Sequence, residues 1–131
     1  MHETLQPQGW ARPKGYANGV AARGRQIYVA GQIGWNAEQV FETDDLASQA
    51  RQALENVVAV LAAGSAGPEH IVSMTWFLTD KAEYLASLDR LGRAYREVIG
   101  RHYPAMAAVE VAALIEDRAK IEIQAVAVVP D

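Results

Sequence analysis

The chain has 131 residues, of which 50% are hydrophobic and 21% are charged. This length and balance predict one folded domain, residues 1–131, and exclude a largely disordered chain. The net charge of −4 disfavours a nucleic-acid partner held by phosphate neutralisation, and the absence of cysteine excludes disulfides and thiolate metal sites. Because no apolar run approaches the roughly 20 residues that cross a bilayer, we expect no membrane partner and a cytoplasmic location.

The first half of the chain predicts two strands followed by a helix. Residues 16–22 and 27–33 are short apolar runs around a glycine-bearing turn, which predicts a hairpin. In residues 44–63 apolar side chains recur at steps of three and four, which predicts a helix with one buried face. Thr43 or Asp44 is the expected N-cap, and Gly64 is the expected end.

The second half predicts a strand, a helix and two further strands. Residues 71–79 are typical of a buried strand, and Asp80 with Glu83 three positions later resembles a capping box. One helix follows and ends before Gly100 and Pro104, with the apolar stripe Tyr84, Leu88, Leu91, Tyr95 and Val98. Residues 106–114 and 119–129 are the last strands. The order β-β-α-β-α-β-β predicts an α+β fold with two helices on one face of the sheet.

The predicted sheet is apolar on both faces of its last strand. Two antiparallel helices can cover only one face of such a sheet, so the other face is expected to be polar in a monomer. In residues 119–129, however, Val126 and Val128 share the second face with Glu122 and Gln124, and residues 106–112 of the preceding strand are apolar apart from Glu110. A mostly apolar second face predicts burial against another subunit, and therefore a closed homo-oligomer.

Acidic side chains inside apolar strands are the candidate chemical groups. Glu110 and Glu122 interrupt segments that are otherwise nearly all Ala, Val and Ile, where a buried carboxylate needs hydrogen-bond partners. Either could be a general base or hold a water, and either could be a structural acid. The histidines His2, His70 and His102 are far apart in sequence, so no metal site is expected.

Five segments in matching order carry a resemblance to a known family: KGYANGV at 14–20, VAGQIG at 29–34, ALENV at 53–57, YPAMAAVEVA at 103–112 and KIEIQAVA at 120–127. Over residues 13–129 the chain resembles the RidA, or YjgF, family. The resemblance implies a homotrimer of ferredoxin-like or chorismate-mutase-like subunits, with ligand clefts between the subunits. It also implies cofactor-free hydrolysis of enamines and imines, such as 2-aminoacrylate, to ketones or keto acids plus ammonia.

Individual site residues follow from the same resemblance. Tyr16 matches the family's site tyrosine, and Glu122 matches the acid near the attacking water. Ala108 matches the residue whose main chain contacts the ligand. Gly31 and Gln32 match the strand that lines the approach to the pocket.

Two positions depart from the family pattern. Met106 occupies the place of the signature arginine, which binds a substrate carboxylate through two parallel hydrogen bonds that a thioether cannot supply. Losing such a contact costs on the order of 2 to 5 kcal/mol of binding, so 2-iminopropanoate is not the expected substrate. Lys14 and Gly15 replace the usual Gly-Pro pair before the tyrosine, which predicts a reshaped loop over the pocket.

Three functions are compatible with this sequence. The first is a deaminase for a larger or differently charged enamine, such as a 2-aminomuconate-like compound, whose anion Lys14, Arg12 or Arg101 would bind. The second is a non-catalytic trimer that binds a small metabolite in the same clefts. The third is a nucleic-acid role, which the acidic chain disfavours.

Overall fold

Four strands form one mixed sheet, and two short strands form a separate pair. The computed structural model describes residues 2–131. Along the chain the elements are β1 (Glu3–Leu5), β2 (Gly19–Ala21), β3 (Arg25–Ile33), α1 (Leu46–Ala63), β4 (Ile71–Leu78), α2 (Lys81–Ala86), α3 (Leu88–Val98), β5 (Ala105–Glu110) and β6 (Ile121–Val129). The sheet order is β3-β6-β4-β5, in which β4 and β5 are parallel and the other neighbours antiparallel. The predicted α+β class and mixed sheet are confirmed.

One face of this sheet is covered by helices, and it holds the hydrophobic core. Alternation along β6 directs Ile121, Ile123 and Ala125 toward the helices, where all three are buried. They pack in one cluster with the apolar stripe of α1, which includes Ala50, Leu54, Val57 and Leu61. Burying each large aliphatic side chain contributes about 1.5 to 3 kcal/mol, so this layer fixes which face of the sheet the helices cover.

Helix α1 begins slightly later than its sequence predicts. Its N-cap is Asp45, which accepts a hydrogen bond from the Ser48 N–H at 2.9 Å. The prediction of Thr43 or Asp44 was wrong by one or two positions, because the Thr43 hydroxyl instead accepts a hydrogen bond from the Asp45 N–H. Gly64 ends the helix, as predicted.

Two amide side chains of α1 hold neighbouring segments in place. Gln49 is fully buried; its amide nitrogen donates to the carbonyls of Thr43 and Arg118, and its oxygen accepts from the Lys120 N–H. Asn56 donates to two carbonyls at the end of β3 and just beyond it. These bonds satisfy partly buried backbone groups and thereby fix the segments that follow β3 and precede β6.

The single second helix of the prediction is two helices, α2 and α3. At their junction Ser87 has φ −110° and ψ 11°, and its hydroxyl donates to the carbonyl of Glu83 at 2.8 Å. This side-chain bond competes with continuation of the helix, while the apolar period runs on through the break and hides it from the sequence. Asp80 caps α2 by accepting from the Glu83 N–H, and the Glu83 carboxylate pairs with Lys120 instead of completing a capping box.

The predicted hairpin between the first two strands was wrong. β2 pairs with β1, a strand that the sequence analysis did not identify, and β3 pairs with β6. β3 and β6 have nine residues each, whereas β2 has three, so the long pairing satisfies far more backbone groups. The strand predicted at 106–114 also ends early, at Glu110.

The face of the sheet away from the helices is here called the open face. Tyr28 on this face is 70% exposed and Val109 is 43% exposed, although both are large and apolar. Phe77 and Val126 share the face and are half-buried. Such a patch is typical of a protein interface, so the homo-oligomer remains a prediction with structural support.

Candidate functional site

A cleft of about 590 Å³ lies between strand β5, helix α3 and the loop before β2. Its aromatic lining residues are Tyr16, Trp76, Tyr84, Tyr95 and Tyr103, and its basic ones are Lys14 and Arg96. The part of the lining drawn from residues 2–131 contains no carboxylate and no imidazole. A largely apolar cleft with a few polar groups is typical of a small-molecule site.

Tyr16 reaches the cleft from a loop that is fixed to the start of β5. The N–H of Ala17 donates to the carbonyl of Pro104 at 3.0 Å, and Ala17 forms a parallel bridge with Ala105. Gly15 has φ 77°, a left-handed conformation that the ring of proline forbids. The loop therefore has a backbone path that a proline at position 15 could not adopt.

Packed aromatic rings form the wall on the helix side. Tyr95 stacks on Tyr103 with ring centroids 5.4 Å apart, and the Trp76 ring lies 6.2 Å from the Tyr95 ring. The Tyr95 hydroxyl donates to the carbonyl of His102. Burial raises the pKa of Tyr95, with a further contribution from Tyr103, and burial also raises the pKa of Tyr84. Tyr84 and Tyr95 are therefore protonated at neutral pH and cannot serve as bases.

Strand β5 forms the opposite wall. Met106 lies beside Met74 and Ala108 beside Trp76 in the parallel register, so both face the helix side of the sheet. Met106 is half-buried and packs against the core. At the position that the resemblance assigns to the signature arginine, this wall presents a polarisable apolar side chain without charge.

Glu122 lies on the open face, on the other side of the sheet from the cleft. Its neighbours Ile121 and Ile123 point into the core, so its side chain points away from the helices. The carboxylate is half-buried next to Gly31, and no residue from 2 to 131 hydrogen-bonds or ion-pairs with it. Gln32 beside it donates its side-chain amide to the backbone two residues earlier.

The residues expected from the sequence therefore fall into two groups. Lys14, Tyr16, Met106 and Ala108 line the cleft, whereas Gly31 and Gln32 on the edge strand β3 and Glu122 on the neighbouring β6 lie outside it. A single chain does not bring the Glu122 carboxylate to the cleft. The two groups can act on one ligand only if a second copy of the chain supplies one of them.

Comparison with known proteins shows which family the chain belongs to. The model of the family described as Endoribonuclease L-PSP matches residues 10–129. The chain belongs to this family, also called RidA or YjgF.

Relatives of known sequence and structure span nearly the whole chain. It is 37% identical over 113 residues to a 2-iminobutanoate/2-iminopropanoate deaminase of Escherichia coli strain K12, covering 86% of each protein. It is 30% identical over 128 residues to a RutC family protein of Pyrococcus horikoshii, covering 97% of this chain and 98% of the relative. The crystal structure of the Rid family protein YyfB of Yersinia pestis is similar with a TM-score of 0.87, at 26% identity and 98% coverage of both chains.

Glu110, the second strand acid of this RidA-family chain, has a structural partner. Its carboxylate accepts a hydrogen bond from the Lys81 N–H at 2.7 Å, at the start of α2. The first N–H groups of a helix lack partners within the helix, so this bond stabilises the helix end. Of the two candidate acids, only Glu122 keeps a carboxylate that is free within the described part of the chain.

Several cleft residues were not identified from the sequence. Trp76 was assigned to a buried strand and Tyr95 to the apolar stripe of a helix. Both side chains are buried, and both also line the cleft beside β5. Arg96 gave no signal, because an exposed helical arginine is common. Arg12 and Arg101, suggested as anion-binding residues, are not part of this lining.

The described residues hold neither a candidate metal site nor a candidate membrane span. Residues 2–131 contain no group of three or more His, Asp or Glu side chains arranged to hold a metal ion. None of the helices in that part of the chain has the length and apolar character to cross a membrane.

Proposed function

We propose that this RidA-family protein hydrolyses an enamine or imine, without a cofactor, to a carbonyl compound and ammonia. The relative that is 37% identical is named a 2-iminobutanoate/2-iminopropanoate deaminase, which supports this reaction class. The observation that carries the proposal is the Glu122 carboxylate, which is half-buried and has no partner among residues 2–131. Such a carboxylate can hold a water molecule and accept a proton from it.

The proposed assembly is a homotrimer whose open faces pack together inside. The exposed Tyr28 and Val109 support it, since large apolar side chains on that face would become buried. In this trimer Glu122 of one copy faces the Tyr16 cleft of the next, which unites the two groups of site residues. The proposed location is the cytoplasm, a compartment that the cysteine-free sequence suits.

The proposed reaction needs only water. Water adds to the imine carbon while Glu122 accepts one of its protons and returns it to the nitrogen, giving a carbinolamine. The carbinolamine then expels ammonia and leaves the carbonyl compound, so that R₂C=NH and H₂O become R₂C=O and NH₃. Tyr16 orients the substrate in the cleft. No electrons are transferred, and no redox partner is required.

The proposed substrate is larger than 2-iminopropanoate. The thioether of Met106 cannot form the two parallel hydrogen bonds by which a guanidinium binds a carboxylate next to the reacting carbon. A 2-aminomuconate-like enamine, which carries a second carboxylate at the far end of its chain from that carbon, is the candidate of this class.

The test compares two matched acid variants on a panel of imines generated by an amino-acid oxidase. Glu122→Gln should lose the acceleration of imine hydrolysis over the spontaneous rate, whereas Glu110→Gln should keep it, because Glu110 only caps α2. Equal activity in both variants would exclude Glu122 as the proton acceptor. Thermal unfolding of each variant shows whether the fold is intact.

A mixing experiment tests whether two copies share one site. Tyr16→Phe and Glu122→Gln should each impair hydrolysis, and trimers assembled from an equal mixture should recover about one quarter of the native activity, since one random pairing in four unites both intact groups. No recovery in verified mixed trimers would show that one copy supplies both residues.

A non-catalytic metabolite-binding trimer is the second candidate. The lack of an acid in the cleft of one chain and the presence of Met106 favour it. It would be supported if a carboxylic metabolite binds while no imine of the panel is hydrolysed above the spontaneous rate.

A further inference from the structure

The cleft carries two positive charges and, within the described residues, no negative charge. Lys14 and Arg96 are its basic side chains, and the remaining lining residues are aromatic, aliphatic or small. Basic groups in a cleft attract anions, and aromatic faces suit a flat ligand body. Since Met106 replaces the arginine of β5, an anion in this cleft has to be bound from another wall.

Arg96 on α3 is free to do this. It is exposed, and it forms no ion pair or side-chain hydrogen bond with any of residues 2–131. Three other arginines are already engaged with acids, in the pairs Arg51 with Glu97, Arg90 with Asp45 and Arg118 with Asp44. A guanidinium without an internal partner can direct two parallel N–H donors at a ligand carboxylate.

Gly92, one helical turn before Arg96, leaves space for the guanidinium. A Cβ atom at Gly92 would lie 3.1 Å from Nη1 of Arg96, so the arginine side chain lies over helix surface that has no side chain. Glycine in the interior of a helix is less favourable than alanine, so glycine at position 92 lowers the stability of α3. Gly92 and Arg96 both line the cleft, so this bare surface is part of the cleft wall.

We propose that Arg96 is the carboxylate-binding residue of this cleft, and that the ligand is a carboxylate with a flat unsaturated or aromatic body. The carboxylate binds at α3, and the body extends between the aromatic side chains toward Met106 on β5. Because α3 and β5 form opposite walls, the carboxylate is separated from the end of the ligand at Met106 by the width of the cleft. This ligand is longer than 2-iminopropanoate, whose single carboxylate is attached to the reacting carbon. The inference rests on the proposed function for the assignment of this cleft as the substrate site.

The experiment measures binding in the intact oligomer by calorimetry at low salt, with three probes. Cinnamate is a flat unsaturated carboxylate, cinnamamide is its uncharged analogue, and propionate is a short carboxylate without the flat body. The native protein should bind cinnamate more tightly than the other two probes. Arg96→Gln should weaken cinnamate binding roughly 10- to 100-fold, the range expected for losing hydrogen bonds to a charged group, and should leave cinnamamide binding unchanged.

The matched control is Arg93→Gln, which removes an exposed arginine of α3 that is not part of the cleft lining. It should bind cinnamate as the native protein does. Arg96→Lys keeps the charge without the planar pair of donors, so its affinity should fall between those of the native protein and Arg96→Gln. Circular dichroism of all variants controls for the fold, which an exposed side chain on α3 should not alter.

Two results would overturn the assignment. One is no measurable cinnamate binding by the native protein. The other is equal cinnamate affinity in the native protein and Arg96→Gln, in which case a loss of affinity in Lys14→Gln would identify Lys14 as the carboxylate-binding residue. Failure of the proposed function would give results different from these. If Arg96→Gln weakens cinnamate binding and no imine is hydrolysed, the carboxylate site stands without the deaminase. If imines are hydrolysed in a manner that needs Glu122 but not Arg96, the deaminase stands without this carboxylate site.

Discussion

Gly31 lies directly beside the carboxylate of Glu122, so closely that a Cβ atom on Gly31 would stand 2.2 Å from Oε2. Non-bonded carbon and oxygen atoms do not approach to this distance. The Glu122 carboxylate therefore occupies the space that any other residue at position 31 would fill. Because Gly31 has no side chain, the carboxylate of Glu122, the proposed proton acceptor, can lie beside the backbone of β3.

Gly31→Ala should impair imine hydrolysis without unfolding the protein. The new methyl group displaces the carboxylate, and misplacing a catalytic group by about 1 Å can lower the rate roughly 100-fold. Stability should change by no more than about 1 kcal/mol, because the displaced atoms are the flexible end of a side chain and alanine has the lower folding entropy cost. Hydrolysis rates and urea unfolding measure the two effects.

Gly19→Ala is the matched control for this variant. Gly19 also lies in a strand, and its added Cβ would meet Leu5 at an ordinary 3.4 Å. Full hydrolytic activity in Gly31→Ala, or equal losses in the two variants, would contradict the role assigned to Gly31.

The sequence predicted the candidate site only in part. The resemblance supplied Tyr16, Met106 and Glu122 by position, and the alternation of the last strand already placed Glu122 on the face away from the helices. Neither showed that Met106 lies on the opposite, helix-covered face, because that depends on the register of β5 against β4. Arg96 could not be found at all, because its place at the cleft depends on how α3 packs on α1 and thereby faces β5 across the cleft.

Gly92→Ala should stabilise the fold and weaken ligand binding together. Alanine in the middle of α3 should raise the free energy of unfolding by about 0.5 to 1 kcal/mol. The added Cβ would lie 3.1 Å from Nη1 of Arg96, so the guanidinium has to move, and cinnamate affinity should fall. Urea unfolding and calorimetry test the two effects.

Gly100→Ala is the control for Gly92→Ala, and it should lower the free energy of unfolding instead of raising it. Gly100 has φ 94°, a conformation that strains alanine, and a Cβ there would have no neighbour within 4 Å. We expect lower stability and unchanged cinnamate affinity. A Gly92→Ala protein less stable than the native one would contradict the helix argument.

The fold was predicted best where burial dictates the pattern. The alternation of β6 and the stripe of α1 follow directly from the core that both share, so both elements were found, each beginning two residues later than predicted. The predictions were wrong where a single contact determines the local structure. The Ser87 hydroxyl ends α2 within a continuous apolar stripe, and the residues of β1, which are all exposed, carry no hydrophobic signal.

The acid dependence of stability should reflect Asp45, which links α1 to α3. Arg90 donates to its two carboxylate oxygens at 2.8 and 2.5 Å, and Arg90 first and Ser48 second hold the pKa of Asp45 well below its usual range. A carboxyl group whose pKa is lowered by folding stabilises the folded state above its unfolded pKa of about 4, and this contribution is lost as the pH falls below that value.

Asp45→Asn should therefore be less stable than the native protein at pH 6, and the difference should shrink as the pH falls from about 5 toward 2. Asparagine is also a good N-cap, so the comparison isolates the charge. Urea unfolding at several pH values measures the difference. Asp89→Asn is the control, since Asp89 has no ion pair among residues 2–131 and should show no comparable difference. A pH-independent difference in Asp45→Asn would exclude the ion pair as its cause.

Met106→Arg tests whether the missing guanidinium of β5 limits the substrate range. The long aliphatic part of arginine can cover the apolar surface that Met106 covers, so the fold should tolerate the change. A guanidinium on this wall could bind a carboxylate next to the reacting carbon, and kcat/KM for 2-iminopropanoate should rise at least about 10-fold. Met106→Lys supplies charge without paired donors and should gain less activity on 2-iminopropanoate.

If neither variant gains activity on 2-iminopropanoate while both remain folded, Met106 is not the main obstacle to this substrate. The altered loop at Gly15, whose φ of 77° proline could not adopt, then becomes the principal structural difference from the family pattern.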